Sequence, residues 1–156
     1  EIRPRLRLHQ YGWHMVENRG DYDRDDWSPA TDATRFECGS PNMLGIYGFD
    51  ASLSLLLEIG IESVYAAIAE RTGRLIELID RYGFELLSPR APEHRAGIVT
   101  FRVPGTDSKT LHKALAARGL ICATRGGGIR FSPHFYTPEA VLEKALSVTA
   151  EMAPRL

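Results

Sequence analysis

The sequence predicts an α+β fold: a small, mostly antiparallel sheet with helices packed on one side, preceded by an extended segment and one further helix. Three observations predict it. From residue 61 the apolar pattern runs in the order α-β-β-α-β-β-α, with Gly or Pro at most of the switches. Residues 1–41 carry no sustained period, and the first helical pattern opens only at Pro41-Asn42. Finally, a chain of 156 residues, 44% hydrophobic and 25% charged, can bury a sizeable core without disulfides or metals.

The chain opens on Glu1-Ile2-Arg3-Pro4 rather than on methionine and is read as part of something longer. A basic run (Arg3, Arg5, Arg7) leads through Tyr11-Gly12-Trp13 into an acidic stretch, where Glu17 to Asp32 hold six carboxylates against two arginines. With Gly20, Pro29 and few aliphatic residues, this is either a functional or wrapping loop or a disordered leader. Trp13, Tyr22, Trp27 and Phe36 favour the ordered loop, because disordered segments are poor in aromatics.

Residues 42–59 then read as a helix with a stripe of small residues, Gly45, Gly48 and Ser52, suited to close backbone packing, although a frayed helix start explains Gly45 equally well; Gly60 stops it. A second helix over 62–82 sets Val64, Ile68, Leu75, Ile79 and Tyr82 on one face, with Gly83 as its C′ residue. Phe84–Leu87 and Gly97–Val103 read as strands. Asp107 or Ser108 caps a helix that turns Leu111, Ala114 and Leu115 inward and ends at Gly119. Leu120–Thr124 and Gly128–Ser132 are short strands around an Arg125-Gly126-Gly127-Gly128 turn. Thr137-Pro138 starts the last helix with Pro at N1, burying Val141, Leu142, Ala145, Val148 and Met152.

Charge and motifs narrow the function. Nineteen basic and twenty acidic side chains leave a net charge of −1, no footprint for nucleic acid or an anionic membrane. No apolar run approaches the roughly 18 residues of a membrane span. Cys38 and Cys122 form neither a CxxC nor a zinc pattern, so a cytoplasmic, reducing setting is expected. There is no GxSxG elbow and no HExxH, and the five histidines are scattered. His112 reads as a helix-surface residue, whereas His14 and His134 lie in loops beside more suggestive neighbours.

Three motifs stand out. Arg35-Phe36-Glu37-Cys38-Gly39-Ser40-Pro41-Asn42 leads into a helix, so Ser40 either offers an anion its hydroxyl and the helix's positive end or is simply an N-cap. In Gly128-Ile129-Arg130-Phe131-Ser132-Pro133-His134-Phe135-Tyr136, alternation turns Arg130 away from Ile129 and Phe131. There it either grips a carboxylate through two parallel hydrogen bonds or makes a surface salt bridge. Trp13, in Tyr11-Gly12-Trp13-His14, carries an indole N–H that only donates; it either meets an anion or carbonyl or serves as a core or interface aromatic.

In this order and spacing the motifs resemble the C-terminal third of class V aminotransferases, which include kynureninases, cysteine desulfurases and isopenicillin-N-epimerase-like proteins. Arg35–Gly60 resembles the family's RFE-x-G-T-x-N segment with its following helix, and Gly128–Val141 its R-x-S-x-x-x-Y-N-T-x-E ending. The resemblance implies pyridoxal 5′-phosphate as cofactor, an amino acid as substrate and a homodimer with a shared active site. It implies cofactor-phosphate contacts at Ser40 and Trp13, the substrate α-carboxylate at Arg130, and a second substrate arginine at Arg125. Residues 1–60 are then the tail of the large cofactor domain and 61–156 the complete small domain.

The departures are as informative. The family's Schiff-base lysine belongs upstream, and Lys109, Lys113 and Lys144 all fall in amphipathic helices of the small domain. The chain alone is therefore expected to be inactive. Desulfurases carry a nucleophilic cysteine in the loop that is here only Gly126–Gly128, while Cys122 lies inside the preceding strand. That short loop and the Gly-Trp pair favour the kynureninase- or epimerase-like branch. A stand-alone ligand-binding or regulatory domain, or a dimerisation module built on residues 1–60, are the competing readings.

Overall fold

The computed structural model describes residues 2–155, Arg155 by its backbone alone; Glu1 and Leu156, the outer ends of the two expected regions, lie outside the described residues. The chain forms two compact units, Glu1–Ser54 and Leu55–Leu156.

In the first unit the irregular stretch is ordered by backbone pairing rather than by regular structure. Val16 and Pro29 form an isolated antiparallel bridge. The Glu17 N–H donates to the Ser28 carbonyl and the Ala30 N–H to the Met15 carbonyl, both at 2.9 Å. The Glu17 carboxylate accepts the Thr31 N–H at 2.6 Å. The acidic stretch is thus a loop pinned at its neck, with Met15 and Ala30 buried there. Short 3-10 turns flank it at Arg3–Arg5 and Ala33–Phe36, the second capped by Asp32, which accepts the Thr34 N–H.

Helix α1 spans Met43–Ile59. Its cap is Asn42, whose Oδ1 accepts the Gly45 N–H at 3.0 Å. The cap gives Gly45 a role at the helix start: a Cβ there would come within 2.6 Å of the Asn42 side chain, whereas one at Gly48 meets nothing among the described residues. Gly60, at φ +89°, separates α1 from α2, Ile61–Arg81. Helix α2 closes at Gly83 (φ +68°), where the Phe84 N–H reaches back to the Ile79 carbonyl.

Four short strands follow: β1 Glu85–Leu86, β2 Val99–Arg102, β3 Ala123–Arg125 and β4 Gly128–Phe131. They are ordered β1-β2-β4-β3, and every neighbouring pair is antiparallel. Helices α3 (Ser108–Ala117) and α4 (Glu139–Met152) join α2 against one face. The α+β class and the element order agree with the sequence pattern, although each strand is shorter than its apolar run.

The core lies between sheet and helices. Val99, Phe101, Ile129 and Phe131 alternate inward from β2 and β4 to meet Leu75 and Ile79 of α2, Leu111 and Leu115 of α3, and Leu146 of α4. Phe101 stacks on Phe84 at 5.6 Å and takes the Phe131 ring edge-on at 5.3 Å. The buried hydroxyls of Thr72 and Thr149 donate to carbonyls of their own helices, so neither is left unsatisfied.

Two details of α4 are corrected. Pro138 is the N-cap residue with extended backbone, not N1. Thr137 spends its hydroxyl accepting the His134 N–H instead of capping. The buried stripe is Leu142, Ala145, Leu146 and Thr149, spaced i, i+3, i+4, i+7, which leaves Val141 exposed on the flank.

Candidate functional site

Arg130 sits in the central strand β4, directly opposite Thr100 of β2 and Ala123 of β3. Because Ile129 and Phe131 point into the core, Arg130 projects from the face the helices leave uncovered. Its Nε is buried and has no hydrogen-bond partner among the described residues, and no carboxylate pairs with its guanidinium. The surface-salt-bridge reading has no support here. A positive, planar donor set held on a rigid strand with its bonds unspent suits a carboxylate.

Arg125 ends β3, one turn from Arg130. Gly126 (φ +55°) and Gly127 (φ +77°) occupy the two left-handed positions of a tight hairpin. Gly128 pairs with Arg125, and its Cβ position would lie 2.4 Å from the Phe101 carbonyl oxygen. The turn is held from outside as well. Ser108, at the start of α3, donates its hydroxyl to the Gly127 carbonyl at 2.9 Å, and the Arg102 Nε reaches the same oxygen at 3.4 Å. Arg102 also pairs with Glu85 at 3.2 Å. These supports were not singled out in the sequence; the strand alternation that marks Arg130 also places Arg102 outward. Arg125 itself is exposed and, among the described residues, donates only to the Thr124 carbonyl.

In the first unit, Trp13 and the Arg35–Ser40 segment are brought together by backbone contact. The His14 N–H donates to the Cys38 carbonyl, and a Cβ on Gly12 would lie 1.9 Å from that same oxygen, so only glycine lets the segments approach so closely. The Trp13 ring, 54% exposed, stands edge-on to the His14 imidazole at 5.2 Å. The His14 Nδ1 lies 3.7 Å from the Glu37 carboxylate.

Ser40 is exposed and does not cap α1, a role taken by Asn42. Neither its hydroxyl nor the N–H groups of Gly39 and Ser40 find a partner among the described residues. Free donors just before a long helix are the donor set an anionic group requires, and the phosphate of a cofactor fits it.

The other candidates have these surroundings, with the His134 Nδ1 buried and without a hydrogen-bond partner among the described residues. The His112 Nε2 meets the Cys122 carbonyl at 3.1 Å. His134 stacks on Tyr136 at 4.7 Å. Cys122 precedes β3 rather than lying within it, and burial pushes its thiol above the usual range. No single helix among the described residues is long and apolar enough to cross a membrane.

The family model of class-V aminotransferases matches residues 2–139. The chain belongs to this family. Among curated relatives it is similar to a probable cysteine desulfurase of Pyrococcus abyssi (strain GE5 / Orsay), 28% identical over 78% of this chain and 34% of that protein. It is also similar to the isopenicillin N epimerase of Streptomyces clavuligerus, 31% identical over 78% of this chain and 32% of that protein. Among solved structures, it superposes on a lysine-to-alanine variant of C-DES with glycine covalently linked to its PLP cofactor. That match has a TM-score of 0.80 at 22% identity and covers 96% of this chain and 39% of the other. The likeness shows the shared fold. The chain spans about a third of the length of the curated class-V relatives it matches.

Proposed function

We propose that this chain is the C-terminal part of a pyridoxal-phosphate enzyme acting on an amino acid, and that it supplies grips on cofactor and substrate. Residues 1–60 complete the large cofactor domain, and 61–156 form the small domain. When bound, pyridoxal 5′-phosphate supplies the electron sink for the bond broken at the substrate's α-carbon. Ser40 and Trp13 bind its phosphate, in a homodimer with a shared site. Arg130 binds the α-carboxylate and fixes the substrate's orientation before any bond breaks. The anchoring lysine is supplied by another part of the protein, so the 156 residues alone are inactive.

The observation that carries this reading is Arg130: a strand-borne guanidinium with a buried, unpartnered Nε, in a chain of this family. Within the family, the transamination, C–C cleavage or epimerisation branch is favoured over desulfuration. A nucleophilic cysteine reacts as its thiolate. Cys122 is half-buried with its thiol pushed up, and the hairpin loop holds only Gly126 and Gly127.

The test is Arg130→Ala in the full-length protein. Each hydrogen bond to a charged group contributes about 1.5–3 kcal/mol, so the loss of even one should weaken amino-acid binding roughly 10- to 100-fold, and the loss of both should weaken it further. The visible absorbance of the bound cofactor should remain. Unaltered amino-acid affinity would remove Arg130 from the role, and a full-length protein that binds no pyridoxal phosphate would remove the enzyme reading.

A further inference from the structure

Trp13 is fixed through its backbone rather than through its own packing. Gly12, on one side, could not carry a Cβ without striking the Cys38 carbonyl oxygen, and His14, on the other, donates its N–H to that same oxygen at 3.4 Å. These contacts set the Trp13 main chain beside Cys38, two residues before Ser40. They leave the indole, 54% exposed, free to turn about its side-chain bonds. Among the described residues one ring meets it: the His14 imidazole, edge-on at 5.2 Å with the two planes at 84°. An edge-on pair at this separation is attractive, so the imidazole favours one indole orientation over the others.

His14 is held in turn from the Ser40 side. Its side chain is only 14% exposed, and its Nδ1 is buried with no hydrogen-bond partner among the described residues. The Glu37 carboxylate stands 3.7 Å from that atom, within ion-pair range and just beyond a hydrogen bond. Glu37 is fixed at its backbone, where its N–H donates to the Thr34 carbonyl at 2.8 Å and closes the Ala33–Phe36 turn. Its carboxylate has no other partner among the described residues, so a small rotation brings it onto Nδ1 and relieves the cost of a buried, unpaired polar atom. The contacts thus run from Glu37 to His14 to Trp13, starting three residues before Ser40 and ending on the indole.

We propose that His14 is a positioning residue of the cofactor grip: held by Glu37, its imidazole sets the Trp13 indole relative to Ser40, so that hydroxyl and indole N–H meet one phosphate together. The inference rests on the reading of Ser40 and Trp13 as the phosphate contacts. An indole without this support has to be ordered when the cofactor binds, and that cost is subtracted from the affinity.

The experiment titrates pyridoxal 5′-phosphate into the full-length apoprotein and reads the visible absorbance of the bound cofactor. His14→Ala should raise the dissociation constant roughly 3- to 10-fold, the scale of one aromatic pair. On a Trp13→Ala background the same substitution should cost nothing more, because the group it positions is gone. His14→Phe, which returns a ring to the indole, should recover part of the loss, and His14→Leu, which fills the space without a ring, should not. Should His14→Ala fail to fold, these two filled variants carry the test by themselves. A second arm needs no cofactor: the tryptophan emission that Trp13→Phe removes from the apoprotein should move to longer wavelength in His14→Ala and in Glu37→Ala. A full-length protein that binds no pyridoxal phosphate fails the reading of the preceding section, and the emission arm still decides whether His14 sets the indole. With the cofactor bound, three results overturn the positioning role alone: losses from His14→Ala and Trp13→Ala that simply add, equal affinities for His14→Phe and His14→Leu, or a Trp13 emission that His14→Ala leaves unmoved.

Discussion

Single residues in this chain are constrained most severely where backbone meets backbone. A Cβ at Gly128 would fall 2.4 Å from the Phe101 carbonyl oxygen and 2.8 Å from the Leu87 Cδ1. The leucine can move, but the carbonyl belongs to the β2–β4 ladder and cannot. Gly128→Ala should therefore cost about 1–3 kcal/mol through overpacking and backbone shift, read as a lowered midpoint in chemical denaturation. A midpoint equal to wild type would show that the strands part without cost. The sequence presents Gly126, Gly127 and Gly128 as three similar turn residues. In the structure only the first two serve positive φ, while the third permits close approach of a neighbouring strand. That distinction depends on Phe101, 27 residues earlier, and no local pattern encodes it. Arg130 was legible because strand alternation alone turns it away from the core, whereas the freedom of Ser40 was not: it required knowing that Asn42 takes the cap.

At the scale of elements, helix α3 is short and leans on its cap. Asp107 accepts the Thr110 N–H and hydroxyl, both at 2.8 Å, and these bonds hold its carboxyl below the usual range. A group whose pKa is depressed by folding lends stability above its unfolded value and loses it as the pH falls through the lower, folded value. The stabilisation should be complete above roughly pH 5 and should fade as the pH drops past the ordinary carboxylate value near 3.8. Asp107→Ala should lower the Tm at neutral pH, and the gap to wild type should close between about pH 4 and pH 2. A gap that stays constant across that window would mean the carboxylate's charge is irrelevant to the cap. Elements of this kind were legible from the sequence, because Asp107, Gly83 and Gly119 are local signals. The buried stripe of α4 was less so. Val141 and Leu146 are equally apolar, and only the position of the sheet decides that Leu146 enters the core while Val141 stays outside.

For the molecule as a whole, the decisive feature is α1. None of its residues is buried; Leu44 is 85% exposed, and Ile46, Tyr47, Phe49, Leu55 and Leu57 are exposed as well. A helix that is apolar all round belongs in an interior, and exposed apolar patches beyond a few hundred Å² mark surfaces meant to be covered. The sequence already shows the apolar residues on every side of this helix. It does not show what covers them, because burial is a property of neighbours and the chain spans a third of its relatives' length. In isolation, the 156 residues should satisfy α1 by associating with one another. Sedimentation at rising concentration should show oligomers, and replacing Leu44 and Phe49 together by Glu should shift the distribution toward monomer with the helix content retained. A wild-type chain that remains monomeric at every concentration would mean that α1 tolerates water, and would undercut its assignment as an interface helix of a larger protein.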